Sequence, residues 1–259
     1  MISVMRGLGD KVMVVAGGAG GIGTASCVRL AEEGAAVVTG DLDESAARAV
    51  ATRITEGGGR ATAVQVDISD EASVASLMHA ALDAYGRIDG IHINAADLSP
   101  TNIGADSDAM TVPLEVFDHT LAVNLRGHLL CTRHALPHLL EGGGGALVYT
   151  SSVAAFIGEP ERPSYAVAKS GINAIVRHVA SRWGKDGVRA NAVAPGLVLT
   201  DAVLAGAPTE FRTRALRGTR SNRLGRPEDV AAAVAMLLSD DGAWINGQVI
   251  SVDGGATLR

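Results

Sequence analysis

Short apolar runs rich in β-branched residues recur along the chain at 12–16, 35–39, 61–66, 88–94, 146–150, 188–193 and 248–252. They are apolar at nearly every position instead of at alternate ones, as in a strand covered on both faces. Longer stretches rich in Ala and Leu lie between them, such as the one carrying Cys27, Leu30 and Ala31 after the first run. This alternation of buried strand and amphipathic helix predicts an α/β architecture: a three-layer, doubly wound fold around a mostly parallel seven-stranded sheet.

Two intervals break the rhythm, 98–113 and 201–225, and both are too long and irregular to be simple connections. Long connections in such folds usually carry function, so these two are expected to wall a substrate cleft. The second is dense in arginine, with Arg212, Arg214, Arg217, Arg220 and Arg223, and Arg226 just after. A solvated helix face is the plain reading of that run, and a site for an acidic substrate group is the sharper one. The Gly142 to Gly145 run is too short to divide the chain, no internal repeat is present, and 259 residues are expected to form a single domain, 1–259.

Composition narrows the partners. A formal net charge of -6 argues against nucleic acid or an anionic membrane, since both require a positive field. Cys27 and Cys131 fall within predicted helices and read as reduced core thiols, which fits a cytoplasmic setting. Residues 1–10 contain no apolar signal core and no window approaches a membrane span, so neither export nor anchoring is expected.

Immediately after the first strand, Gly17-Gly18-Ala19-Gly20-Gly21-Ile22-Gly23 opens a helix. Glycines there permit a tight turn and a close backbone approach to a pyrophosphate, with amide N–H groups aimed at the anion where the helix dipole is positive. Asp41 ends the second strand about twenty residues on, where a carboxylate can accept hydrogen bonds from the adenosine ribose hydroxyls. It would repel a 2'-phosphate; Leu42 follows it and the glycine turn holds no Arg or Lys, so NAD is expected over NADP. Asp67-Ile68 and Asn94-Ala95-Ala96 close the third and fourth strands, placing more polar and small residues along the edge where ligands of open parallel sheets bind.

Tyr165 and Lys169 lie four apart in a helix that Pro163 can begin, so their side chains share one face. An ammonium beside a phenol favours the phenolate, and the pair is expected to lower the tyrosine pKa. Together with these, Gly17, Gly21 and Gly23, the Asn94-Ala95-Ala96 element, Asn124, Ser152 thirteen residues before Tyr165, Pro195-Gly196 with Thr200, and the closing Asp253-Gly254-Gly255 resemble the short-chain dehydrogenase/reductase family in its short single-domain branch. The resemblance spans almost the whole chain and implies a Rossmann fold and an NAD-dependent interconversion of a small-molecule alcohol and ketone.

The resemblance also implies roles. Tyr165 would be the general acid and base, Ser152 would hold the substrate oxygen, Lys169 would bind the nicotinamide ribose and tune Tyr165, and Asn124 would position a water. The cofactor would meet Gly17, Gly20, Gly21, Ile22, Gly23, Asp41 and Leu42 at one end. Asp67 and Ile68 would meet its adenine, and Asn94, Ala95, Ala96, Pro195, Gly196, Val198 and Thr200 the remainder. Three positions depart from the family pattern: Ala16 for a threonine, Ile93 for an asparagine and Ala96 for a glycine. The first removes a hydroxyl that could tie the strand-one turn to the end of strand four.

A homotetramer is the assembly the resemblance implies, built by pairing the helices at 113–140 and 163–183 and by packing 226–239 with the last strand. The alternatives are an NADP-dependent carbonyl reductase of the same fold and a non-catalytic dinucleotide sensor. A sensor would have little reason to hold Asn124, Ser152, Tyr165 and Lys169 together. His134 and His138 have a chelating spacing, but Pro137 intervenes and no carboxylate partner is evident, so no metal is assigned. His92 lies inside a strand and reads as a core or rim residue.

Overall fold

The computed structural model describes residues 5–258, so the expectation for the first ten residues falls partly outside the described residues. Strands β1 (Val12–Ala16), β2 (Ala36–Asp41), β3 (Arg60–Gln65), β4 (Gly90–Ile93), β5 (Gly145–Thr150), β6 (Val188–Pro195) and β7 (Val249–Val252) form one sheet in the order β3-β2-β1-β4-β5-β6-β7. Every pairing is parallel, a stricter arrangement than the mostly parallel sheet expected. The helices in chain order are α1 (Gly21–Glu32), α2 (Glu44–Glu56), α3 (Glu71–Tyr85), α4 (Pro100–Ile103), α5 (Leu114–Leu121), α6 (Gly127–Glu141), α7 (Pro163–Trp183), α8 (Asp201–Gly206), α9 (Thr209–Gly218) and α10 (Pro227–Leu238). A π-helical turn, Ala122–Arg126, joins α5 to α6.

The strand residues explain the layering. Successive side chains of a strand point to opposite faces, so Val12, Val14 and Ala16 of β1 enter one core while Met13 and Val15 enter the other. The first core is closed by Leu77 and Met78 of α3, Cys131 and Leu139 of α6, and Ile172 and Val176 of α7. The second is closed by Cys27 and Leu30 of α1, Ile54 of α2, and Val230 and Val234 of α10. Each such side chain taken fully from water contributes about 1.5–3 kcal/mol, so both faces of the sheet are strongly held.

The first three helices begin differently. Asp43 caps α2 by accepting from the Ala46 amide at 3.0 Å, and Asp70 caps α3 by accepting from the Ala72 amide at 3.0 Å. α1 has Gly20 at its N-cap, so it has no side-chain cap, and no acidic residue lies in its first turn. The strand order reverses between β1 and β4, which opens a crevice at their C-terminal ends, directly in front of that uncapped helix.

The two intervals expected to be irregular are partly helical. α4 lies within 98–113, and α8 and α9 lie within 201–225. Neither α8 nor α9 buries a residue, so neither contributes to the two cores. Among the described residues, no helix is long and apolar enough to cross a membrane.

Candidate active site

The crevice is built first by main chain. The Gly17 and Gly18 amides donate to the Gly40 carbonyl at 2.8 and 2.9 Å, and the Asn94 and Ala95 amides donate to the Ala16 carbonyl at 2.8 Å each. The Asn94 side chain donates to the Gly17 carbonyl at 2.8 Å, so the strand-one turn is tied to the end of β4 although Ala16 has no hydroxyl to do it. Gly17 takes φ 84° with Ala95 backbone pressed against it, leaving no space for a Cβ. At Gly23 a Cβ would stand 1.9 Å from the Gly17 carbonyl oxygen. The result is a bare cradle of amides at a helix N-terminus, with the donor chemistry that an anionic pyrophosphate requires.

The remaining predicted cofactor contacts distribute around this cradle. Asp41 reaches the turn, accepting from the Ala19 amide at 2.9 Å, and the following Leu42 is exposed. Thr200 lies against Gly21, where an added Cβ would meet its methyl group at 2.6 Å, so the Pro195, Gly196, Val198 and Thr200 segment comes down onto the glycine turn. Val198 is buried and forms a parallel bridge to Gly225. Asp67 stays exposed and spends one carboxylate oxygen on the Ser69 amide and hydroxyl, at 2.8 and 2.7 Å. Ile68 is buried with its side chain against Gly127 at the start of α6, so only its main chain is free to meet a ligand.

Ser152, Tyr165, Lys169 and Asn124 follow β5, head α7 or sit in the π-turn, all along the same sheet edge. Ser152, nearly buried, follows the last residue of β5 by two positions, and its hydroxyl lies close enough to the Tyr165 phenol to favour the charged form. Lys169 is buried one turn beyond Tyr165, with its Nζ 5.6 Å from the centre of the phenol ring and 2.9 Å from the Thr150 carbonyl it donates to. Asn124 is fully buried in the π-turn, a wider turn often found at functional sites, and its Oδ1 accepts from the Asp97 amide at 2.8 Å.

Electrostatics correct one expectation. Burial pushes the Tyr165 phenol above its ordinary value, outweighing the Ser152 hydrogen bond and the Arg162 charge that pull it down. The expected lowering by Lys169 is absent because burial depresses Lys169 itself, to about 7, which leaves it only partly charged at neutral pH. The two groups thus titrate apart: Lys169 sheds its proton near neutrality while the Tyr165 phenol keeps its own to above the ordinary value.

Two participants escaped the sequence reading, Thr150 and Asp106. Thr150 donates its hydroxyl proton to Asn94 at 2.9 Å and so accepts from His92 Nε2–H at 2.9 Å, completing a chain from His92 through Thr150 and Asn94 to Gly17. His92 is a core residue, and burial lowers its pKa to about 3, so it stays neutral. Asp106 is buried at the head of α7. Strand alternation places His92, Asn94 and Thr150 near one another only once β4 and β5 are known to be adjacent; Asp106 had no signal beyond its charge in a polar segment.

The other histidines separate from the site. His134 and His138 do have carboxylates nearby, contrary to expectation, but different ones: Glu71 at 3.2 Å and Glu141 at 3.8 Å. Among the described residues no group of three or more His, Cys, Asp or Glu is arranged to hold a metal ion. Much of the arginine run is satisfied locally: Arg223 pairs with Asp229 at 2.6 and 2.8 Å, Arg214 lies over the Phe211 ring, and Arg212 reaches Thr209.

Comparison with known proteins agrees with this geometry. The family model described as Enoyl-(Acyl carrier protein) reductase matches residues 17–257. A probable short-chain type dehydrogenase/reductase of Bradyrhizobium diazoefficiens is 42% identical over 245 residues, 95% of this chain and 86% of that one. Cis-4-hydroxycyclohexanecarboxylate dehydrogenase of Sinomonas cyclohexanicum is 38% identical over 248 residues, 96% of this chain and 97% of that one. The solved structure of a 7 alpha-hydroxysteroid dehydrogenase complexed with NADH and 7-oxo glycochenodeoxycholic acid superposes with a TM-score of 0.90 at 30% identity, covering 96% of this chain and 95% of that one. The chain belongs to the short-chain dehydrogenase/reductase family of oxidoreductases.

Proposed function

We propose that this chain is an NAD-dependent oxidoreductase that interconverts a secondary alcohol and a ketone by hydride transfer, with Tyr165 as the acid and base. The observation that carries the reading is the Lys169 Nζ 5.6 Å from the Tyr165 ring, with the Ser152 hydroxyl close to the phenol, beside a glycine cradle. The dinucleotide, when bound, supplies the hydride acceptor or donor at its nicotinamide ring. Gly17, Gly20, Gly21, Ile22 and Gly23 would hold its pyrophosphate, Asp41 its adenosine ribose, and Lys169 its nicotinamide ribose. Ser152 orients the substrate oxygen toward Tyr165, which takes the hydroxyl proton in oxidation and returns it in reduction. Lys169 and a water that Asn124 would position would carry that proton onward.

NAD over NADP rests on the Asp41 carboxylate at the Ala19 amide, a negative charge where a 2'-phosphate would have to sit. The relatives' alicyclic hydroxyl substrates suggest the first panel: ring-borne secondary alcohols, with and without a carboxylate. The reading includes one domain over 1–259, a cytoplasmic setting compatible with the buried free thiols Cys27 and Cys131, and a homotetramer. The apolar groove of Leu121, Leu125, Leu129 and Ile175 between α5, α6 and α7 supports that assembly, which light scattering checks.

The test is turnover of the alcohol panel followed by nicotinamide absorbance. Tyr165→Phe is expected to lower kcat by about 10³-fold while NADH still binds with its normal Kd. Retention of most of the activity would show the proton donor to be misassigned.

A further inference from the structure

Helix α7 carries the tyrosine in its first turn yet provides no cap of its own. Arg162 occupies the N-cap position in the left-handed region, φ 65°, with no side-chain hydrogen bond, and Pro163 offers no N–H. The first free amides are therefore those of Ser164 and Tyr165. Both are taken by Asp106, which lies 58 and 59 residues earlier in the 98–113 segment. One carboxylate oxygen accepts from the Ser164 amide at 3.1 Å and the Ser164 hydroxyl at 2.7 Å; the other accepts from the Tyr165 amide at 2.9 Å. The lock is reciprocal, because the Arg162 amide donates back to the Asp106 and Ser107 carbonyls at 3.0 and 2.8 Å. Asp106 is 3% exposed and Ser164 fully buried, so water does not compete for these bonds.

The same segment is fastened elsewhere. Asn102 donates to Thr120 on α5 at 3.1 Å, and the Asp97 amide donates to Asn124 at 2.8 Å. We propose that Asp106 is a positioning residue for the Tyr165 phenol, making the 98–113 wall of the crevice and the proton-transferring tyrosine one rigid unit. The proposal rests on the reading of Tyr165 as acid and base. Losing an N-cap costs too little to unseat a helix anchored by Ile172, Val176 and Val179 in the core. The freedom gained falls on the first turn alone. Tyr165 lies in that turn, whereas Lys169 is one turn further on and held by the Thr150 carbonyl.

This asymmetry gives a test with separable outcomes. In Asp106→Ala, kcat for the best alcohol of the panel should fall about 30- to 100-fold, as expected for a reacting group displaced by roughly 1 Å. The Kd for NADH, from fluorescence titration, should stay within about twofold, because the cap touches no group of the nucleotide cradle. Asp106→Asn should recover to within about fivefold of wild type, since its carbonyl still accepts from an amide and its NH2 can donate to the Ser164 hydroxyl. A wild-type kcat in Asp106→Ala, or a Kd that rises in step with the loss of kcat, overturns the proposal.

Amide hydrogen exchange reads the placement without turnover. The Ser164 and Tyr165 amides should exchange at least about tenfold faster in Asp106→Ala, with residues 172–179 unchanged. Unchanged exchange at Ser164 and Tyr165 overturns it even if no alcohol is turned over, and that last result would overturn the functional reading by itself. Should Asp106→Ala not fold, Ser164→Ala removes one of the three bonds and carries the same measurements, with a several-fold fall in kcat expected.

Discussion

The two sides of the crevice are held by different means. On the nucleotide side, the ends of β1, β2 and β4 are stitched by main-chain bonds through Gly17, Gly18, Gly40, Asn94 and Ala95, with glycines pressed against backbone. On the side proposed to take the substrate, α8 and α9 bury nothing, and the 98–113 segment is fixed by individual side chains, Asn102 and Asp106 above all. A backbone-built site is set by sterics and tolerates almost no change. A side-chain-built site can be re-cut one residue at a time, and in a family of many substrates that is the side where specificity can vary.

The contrast can be broken in several ways. The largest effect is expected on the backbone side: Gly23→Ala forces a methyl group into the Gly17 carbonyl and should weaken NADH binding by about 100-fold or more, a cost typical of overpacking. If its Kd stayed near wild type, the cradle would be softer than its contacts indicate. Fluorescence titration decides it.

A smaller effect comes from Lys169, which belongs to neither side alone. Burial lowers it from 10.5 to about 7 in the folded protein, so between those values the unfolded chain binds a proton that the folded one does not. Stability should therefore rise with pH across that window, by on the order of 2 kcal/mol between pH 7 and 9. Thermal unfolding of wild type and Lys169→Met in parallel would show it, with the rise flattened in the variant. An identical slope in both would place the titration elsewhere.

The smallest expected effect is on cofactor choice. Asp41→Ala should weaken NADH about tenfold and bring NADPH closer to it, because the carboxylate that excludes a phosphate is gone. Equal affinities already present in wild type would remove the basis for NAD.

Much of the nucleotide side was legible in the chain because backbone constraint leaves a signature. Gly17, Gly21 and Gly23 have the spacing that close approach demands, and Asp41 stands where β2 ends. The seven apolar runs marked the strands, with ends displaced by a few residues; the fourth begins at Gly90 instead of 88, and Asn94 lies just past it. Asp106 was not legible, since a cap delivered from 58 residues away has no local pattern. Nor was the direction of the Tyr165 shift, because charge spacing can be read from sequence but desolvation follows only from packing. The helices α8 and α9 were hidden by their shortness and their lack of a buried face.

Thr150 ends β5 between the two sides and serves both at once: its carbonyl holds the Lys169 ammonium, and its hydroxyl continues the bonds that reach Gly17. In the proposed reaction hydride and proton would leave neighbouring atoms of one alcohol, so their two destinations would have to be kept in step. Anchoring Lys169 and the glycine turn to one residue at the tip of an interior strand means that any drift of that tip would carry the two together.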